Sequence, residues 1–466
     1  MPAVPRLFRF PAAVVALSVA HVSNGPLQDI GFRTLSCLIG DDDTLRASDK
    51  AVHSGALEAS AVAMRTHPTS LGVNERALAV LLTLLEPAAS VDGAAAALKI
   101  RVPRAVAAGL VPLGVAALRH FVAQARICDT AALLLRALAA RDADAAATAA
   151  AGGGIEACVG AMRAHRTASE LQEHSAAALR PLVASPAGKA RACAAGALEA
   201  VSLALFAFPD VVGVQLACLG ALKSLAVAAE VRARPAAGAA VEAAVAALKK
   251  HGVSRAILRA ETEALAAAEA CGALCNLVVG SADNGTRAAA AGAAAAVAAA
   301  MGGEHSASVD VAEAGAAALW AVAASGGADA AAAVVADGGV DAVVRAMVAH
   351  PDAHALQCVG AAALRDAAAA TPSAAVAAAA SGGVEALLAA MRVHGNSAAL
   401  QEVCCDALCA VLKATPVAVA KLAVLDGAPE VVQAALTTRF PKHMGVRRAA
   451  SSLNTLLQPH VWGRQR

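Results

Sequence analysis

The sequence predicts an all-α fold, a solenoid of about nine to ten three-helix repeats, on three observations. The chain of 466 residues is 58% hydrophobic yet only 2% aromatic, with no tyrosine. Its apolar content is therefore mainly alanine with scattered valine and leucine, which favours helix over sheet. A glycine ahead of a hydrophobic-acidic pair recurs at Gly55, Gly109, Gly154, Gly196, Gly238, Gly292, Gly339, Gly383 and Gly427, spaced by 42 to 54 residues. The mean of about 46 is the period of repeats built from two or three helices. Finally, fourteen residues separate a histidine from a leucine in His21/Leu35, His67/Leu81, His120/Leu134, His165/Leu179, His305/Leu319, His350/Leu364 and His394/Leu408. Phe208/Leu222 keeps that spacing with phenylalanine, and it is expected to be lost near Arg439.

Taken in chain order, Arg6 and Arg9 precede about eleven apolar residues ending in Ser18-Val19-Ala20, which fits a targeting segment over 1–20. His21 followed by LQDIGFRTLSCL fits a degenerate repeat over 1–50 better, in which case Met1 falls inside a repeat without its first short helix. GDDDT, from Gly40, lacks the later glutamate of a calcium loop. Residues 51–466 are assigned to the repeat solenoid. Two longer units carry their extra residues in SVDGAAAALKI, near 91–101, and KKHGVSRAILRAETEALAAAEA, near 249–270. RAAAAGAAAAVAAAM, near residue 290, is too short and too weakly hydrophobic for a membrane span and reads as a helix pair.

Within a unit, GGVEALLAAMRVH from Gly382 returns as GGIEACVGAMRAH from Gly153 and GGVDAVVRAMVAH from Gly338. Val384, Leu387, Leu388 and Met391 form one helical stripe, so Met391 is a core side chain and not one of a Met/His ligand pair. His394 falls in the last turn, where it is expected to meet free carbonyls of the helix end. A polar turn and a longer helix follow, as in LQEHSAAALRPLV from Leu171, LQCVGAAALRDAA from Leu356 and LQEVCCDALCAVL from Leu400; Ser169 and Gln172 have capping-box spacing. A break such as Ala414 to Pro416 leads into a short helix that returns to the next glycine.

The G-G-[IV]-[ED]-A…AM..H…LQ…AL signature resembles degenerate armadillo repeats, as in vacuole-associated armadillo scaffolds and the armadillo region of leucine-rich-repeat kinases. It covers nearly the whole chain. The resemblance implies a right-handed solenoid whose longest helices line a groove for extended peptides. Nuclear-import adaptors of this family read basic signals with Asn two residues after the helix leucine and Trp two before it. Here only Asn276 matches, and Trp320 sits one residue after Leu319. Arg136, Arg180, Lys223 and Arg365 recur on the same helix series, so these four with Asn276 and Trp320 are the candidate partner-binding residues.

A net charge of +2 with 16% charged residues gives no global field to draw nucleic acid or an anionic membrane. The basic cluster TTRFPKHMGVRR, from Thr437, has no aromatic stacking partners and reads as a solvated end. Eleven cysteines without a C-x-x-C read as reduced, buried thiols of a cytoplasmic protein, with a nuclear location also compatible. No His-Glu pair, P-loop, nucleophile elbow or dinucleotide fingerprint is present, so no catalytic, metal or cofactor site is expected. The sequence thus points to a non-catalytic, monomeric scaffold that binds a protein or extended peptide, without nucleic acid and without an integral membrane segment. A second reading is the helical regulatory region, or a fragment, of a larger signalling protein; an import-type cargo adaptor fits less well.

Overall fold

The computed structural model describes residues 10–40, 45–87, 93–252 and 260–461. The chain up to Arg9, the acidic run from Asp41, the stretch from Ala88 to Asp92, residues 253–259 and the end from Trp462 lie outside them. Among the described residues every regular element is helical, and the fold is an all-α solenoid. The helices group in threes, short, medium and long, as in Ala143–Ala151, Gly154–Ala164 and Ser169–Leu182. Among the described residues ten such groups follow one another, the first represented by Phe10–Ala20 and Gly25–Gly40. They fall into two compact halves, Met1–Leu225 and Ala226–Arg466. Within each half the third helices of successive repeats pack in one row and the second helices in another.

The corner between the short and medium helices is set by one glycine. Gly153 has φ +86° and Gly338 has φ +76°, left-handed values that an L side chain takes up at a cost of about 1 kcal/mol. The chain turns there by 70° between Ala143–Ala151 and Gly154–Ala164, so the apolar run is divided between two short helices. Among the described residues no single helix is long and apolar enough to cross a membrane. In the glycine pairs it is the first member that is left-handed. The second, marked by the sequence pattern at Gly154, Gly339 and Gly383, starts the helix, and a Cβ there would lie 2.8, 2.8 and 2.6 Å from the carbonyl oxygens of Ala149, Val334 and Ala378. The expectation at Gly238 fails: the preceding short helix is only Ala229–Arg232, and Gly238 lies inside Ala236–His251, where its missing Cβ makes room for Arg287.

Measured from the left-handed glycine, the medium helix ends twelve residues on, at His67, Phe121, His165, Phe208, His350 and His394. This ruler corrects two readings. In the third repeat the cap is Phe121, not His120, so the matching leucine is Leu135 and not Leu134. In the last repeat the spacing is kept, Gly427 to Arg439 to Leu453, with arginine at the histidine position. Met64, Met162, Met347 and Met391 are 1, 2, 2 and 0% exposed, core side chains as their periodicity requires.

The glutamine of the LQ motif closes the medium helix. Gln172 Nε2 donates to Met162 O and His165 O at 2.8 and 2.9 Å, Gln357 to Met347 O and His350 O at the same distances, and Gln28 and Gln215 act alike. These are carbonyls that the helix end cannot satisfy itself. The capping box expected of Ser169 and Gln172 therefore does not form: Ala168 is the N-cap and the amide is engaged elsewhere. Histidine does not serve its own helix either. His67, His165, His350 and His394 place Nε2 at 2.7, 2.7, 2.9 and 2.8 Å from Val22 O, Val122 O, Ser306 O and Pro351 O, each in the turn of the preceding repeat. The motif histidine is a staple between repeats.

Candidate functional site

The third helices carry the candidate residues. With the register corrected, Arg136, Arg180, Lys223, Trp320 and Arg365 each stand one residue after the buried leucine of their helix, Leu135, Leu179, Leu222, Leu319 and Leu364. They share one register position, three in a row in the N-terminal half and two in a row in the C-terminal half. Asn276 lies off this row, two residues after Leu274, where Cys275 holds the row position. All six are partly or fully exposed, on helices whose opposite face is buried.

Neighbouring repeats fix these side chains. Arg136 Nη2 lies 3.3 Å from Glu86 Oε2 of the preceding repeat, which Arg141 also reaches at 2.9 Å. The Arg180 guanidinium extends over Gly220 of the next repeat. Trp320 Nε1 donates to Asp366 Oδ2 at 2.7 Å, and Arg365 donates to both oxygens of the same carboxylate at 2.7 and 3.1 Å. Burial pushes the Asp366 carboxyl up, but the hydrogen bonds from Arg365 and Trp320 outweigh it and hold the group below its ordinary range. The hydrogen bond to Asp366 in turn raises Arg365. Trp320, Arg365 and Asp366 thus form one held cluster in which an indole N–H and a guanidinium share one carboxylate. Asp366 is absent from the candidates marked by the sequence, where its one signal is an acid adjacent to Arg365, one repeat on from Trp320.

A second row of charges lies six residues before the same leucine. Its acids pair with a base one step further along the next third helix, as in Asp29–Arg76 at 3.7 Å, Asp129–His174 at 2.6 Å and Glu402–Arg448 at 3.3 Å. These pairs clamp repeats together. The His174–Asp129 pair next to Cys128 is no thiol-activating arrangement: Cys128 donates to Phe121 O at 3.2 Å, and burial pushes its thiol up to about 11. Burial likewise pushes Cys158, Cys271 and Cys405 up to about 12. Among the described residues no three His, Cys, Asp or Glu side chains converge to hold a metal ion.

No protein family and no curated protein matches the sequence. Solved structures do. An engineered protein solved by the Northeast Structural Genomics Consortium aligns with a TM-score of 0.73 over 96% of this chain and 99% of its own, at 22% identity. A structure from work on a phosphorylation switch that controls the interaction between cadherin and beta-catenin aligns with a TM-score of 0.61, over 98% of this chain and 92% of its own, at 16% identity. At such identities the likeness is one of fold, a helical-repeat solenoid.

Proposed function

We propose that the protein is a non-catalytic scaffold that binds a partner polypeptide along its third-helix faces. The observation that carries this reading is the row of Arg136, Arg180 and Lys223 in one half and Trp320 and Arg365 in the other. Arginine and tryptophan are the residues that contribute most at interfaces, and here they stand in register on packed, rigid helices. The structural likeness to a solenoid from the cadherin and beta-catenin work supports a protein or peptide partner over nucleic acid. A cytoplasmic location belongs to the same proposal, since eight of the cysteines are buried free thiols that need no oxidising compartment. Affinity capture tests it, with wild type beside a Trp320→Ala, Arg365→Ala variant and an Arg180→Ala, Lys223→Ala variant. Loss of the same partners from either variant is the expected result; undiminished recovery by both overturns the assignment.

A further inference from the structure

The staple that joins repeats is missing at two places, and a cleft opens at each. Phe121 and Phe208 occupy the staple position in the third and fifth repeats and carry no donor. The carbonyls a histidine would have engaged belong to Pro68 and Arg166, the residues following His67 and His165. Neither accepts a hydrogen bond from another described residue, whereas Val22, Val122, Ser306 and Pro351, their counterparts elsewhere, each accept one from histidine. Pro68 lines a cleft of about 570 Å³ floored by Met64, Leu113 and Ala117. Arg166 lines one of about 140 Å³ floored by Met162, Ala200 and Ala204. Arg119 apart, the two sites match position by position, and both lie between second helices with Asn74 and Gln172 reaching in from the start of a third helix, away from the row of Arg136, Arg180 and Lys223.

Their chemistry is lopsided. Arg65, Arg119 and His120 rim the first and Arg163 and Arg166 the second, and no carboxylate lines either. Arg65 and Arg163 are anchored through Ala108 O and Gly196 O, at 2.9 and 3.2 Å. Leu203 is 53% exposed at the mouth of the second cleft, a large apolar side chain left in water. An unclaimed carbonyl, an apolar floor and a cationic rim together select a ligand with a backbone N–H, an apolar side chain and an adjacent carboxylate. We propose that the two clefts dock an extended, acidic segment of a partner polypeptide bearing leucine or phenylalanine. The larger cleft has room for an aromatic side chain, and the smaller fits one aliphatic side chain. This surface is additional to the third-helix row and does not rest on it.

The probe is a fluorescein-labelled Asp-Asp-Leu-Phe-Asp-Asp peptide, read by anisotropy on the full chain against the same peptide with lysines for aspartates. The acidic probe is expected to bind at two sites at low salt, and the lysine version at least about tenfold more weakly. Leu203→Asp with Arg166→Glu, both at exposed positions that leave the core untouched, removes one of the two sites. Phe121→His with Phe208→His supplies the missing donors to Pro68 O and Arg166 O, takes those carbonyls from the peptide, and is expected to weaken binding at both sites at least about tenfold. Equal binding of the two peptides overturns the proposal, as does binding that survives both sets of variants. Loss of probe binding in the Trp320→Ala, Arg365→Ala variant alone would assign the peptide to the third-helix face and equally overturn it.

Discussion

The two halves of the chain solve the same joining problem differently. In the N-terminal half the staple alternates, histidine at His67 and His165, phenylalanine at Phe121 and Phe208, and charge makes up the difference. Arg104–Glu58 at 2.8 Å, Arg126–Glu75 at 2.9 Å and Arg191–Glu156 at 2.9 Å all cross from one repeat to the next. Arg101, 1% exposed, bridges Leu84 O at 2.8 Å and Asp49 at 2.7 Å. In the C-terminal half the staple runs unbroken from His305 through His350 to His394, with Arg439 Nη1 donating to Met391 O at 3.4 Å in the last repeat. Two of the short helices there, Gly327–Ala336 and Pro372–Ala380, are mainly alanine, and Ala282–Ala290, Gly327–Ala336 and Pro372–Ala380 pack directly on one another in that order. Small side chains gain little from burial singly, at about 25 cal/mol per Å². Close backbone approach together with a repeated hydrogen bond replaces bulk in one half, and polar bridges replace it in the other.

The largest expected effect tests the close approach. A Cβ on Gly285 would stand 2.5 Å from Gly326 N, so Gly285→Val should cost about 3 kcal/mol in urea unfolding. Ala146→Val, at the same distance from its N-cap in the N-terminal half, already has room for a Cβ and should cost about 1 kcal/mol. Equal losses would remove the distinction between the halves.

Next comes the helix-closing amide. Gln357→Leu strands Met347 O, whose i+4 residue is Pro351 with no N–H, and leaves His350 O only its bond from Ala353 N, so it should lower stability by about 2 kcal/mol. Gln357→Asn should recover stability only in part, since the shorter Asn74 reaches His67 O and Ser70 O but not the carbonyl ten residues back. Third, the staples can be exchanged between halves: His350→Phe should lose about 1 kcal/mol and Phe208→His should gain a similar amount. Opposite signs in thermal melts would confirm that the position, and not its surroundings, decides.

The smallest effect is a pH dependence in the C-terminal half. Asp366 has its folded pKa held below the unfolded value, so its ionised form adds stability above the ordinary carboxylate range and loses it as pH falls through the folded pKa. Asp366→Asn should therefore be less stable than wild type at neutral pH, and the two should converge in acid. With Trp462→Phe in the background, Trp320 fluorescence should report the loss of its Asp366 partner directly.

Much of this was legible in the sequence, for a physical reason. The corner glycine, the methionine knob and the LQ leucine all sit where a single side-chain type satisfies the geometry, so they recur as letters. Gln172 was visible but assigned to the wrong partner, because capping-box spacing describes a local bond and the amide makes a tertiary one. His120 was misread for a related reason: a histidine beside Phe121 imitated the staple one residue early, and only the distance from Gly109 separates the two. The row Arg136, Arg180, Lys223, Trp320 and Arg365 became a single register after that one-residue correction. The charge pairs between third helices could not be read at all, since they depend on the stagger between neighbours.

The left-handed glycine has a consequence for how such a chain can change length. Every cap, staple and arginine bridge is fixed by its count from that residue, and its partner is found one period earlier or later. A segment cut from one such glycine to the residue before the next, for instance Gly338 to Ser381, therefore carries a full set of plugs and sockets. Removing or duplicating it would rejoin like with like, making the repeat a natural unit of recombination, whereas an insertion of a few residues between Gly338 and His350 would misalign every connection at once.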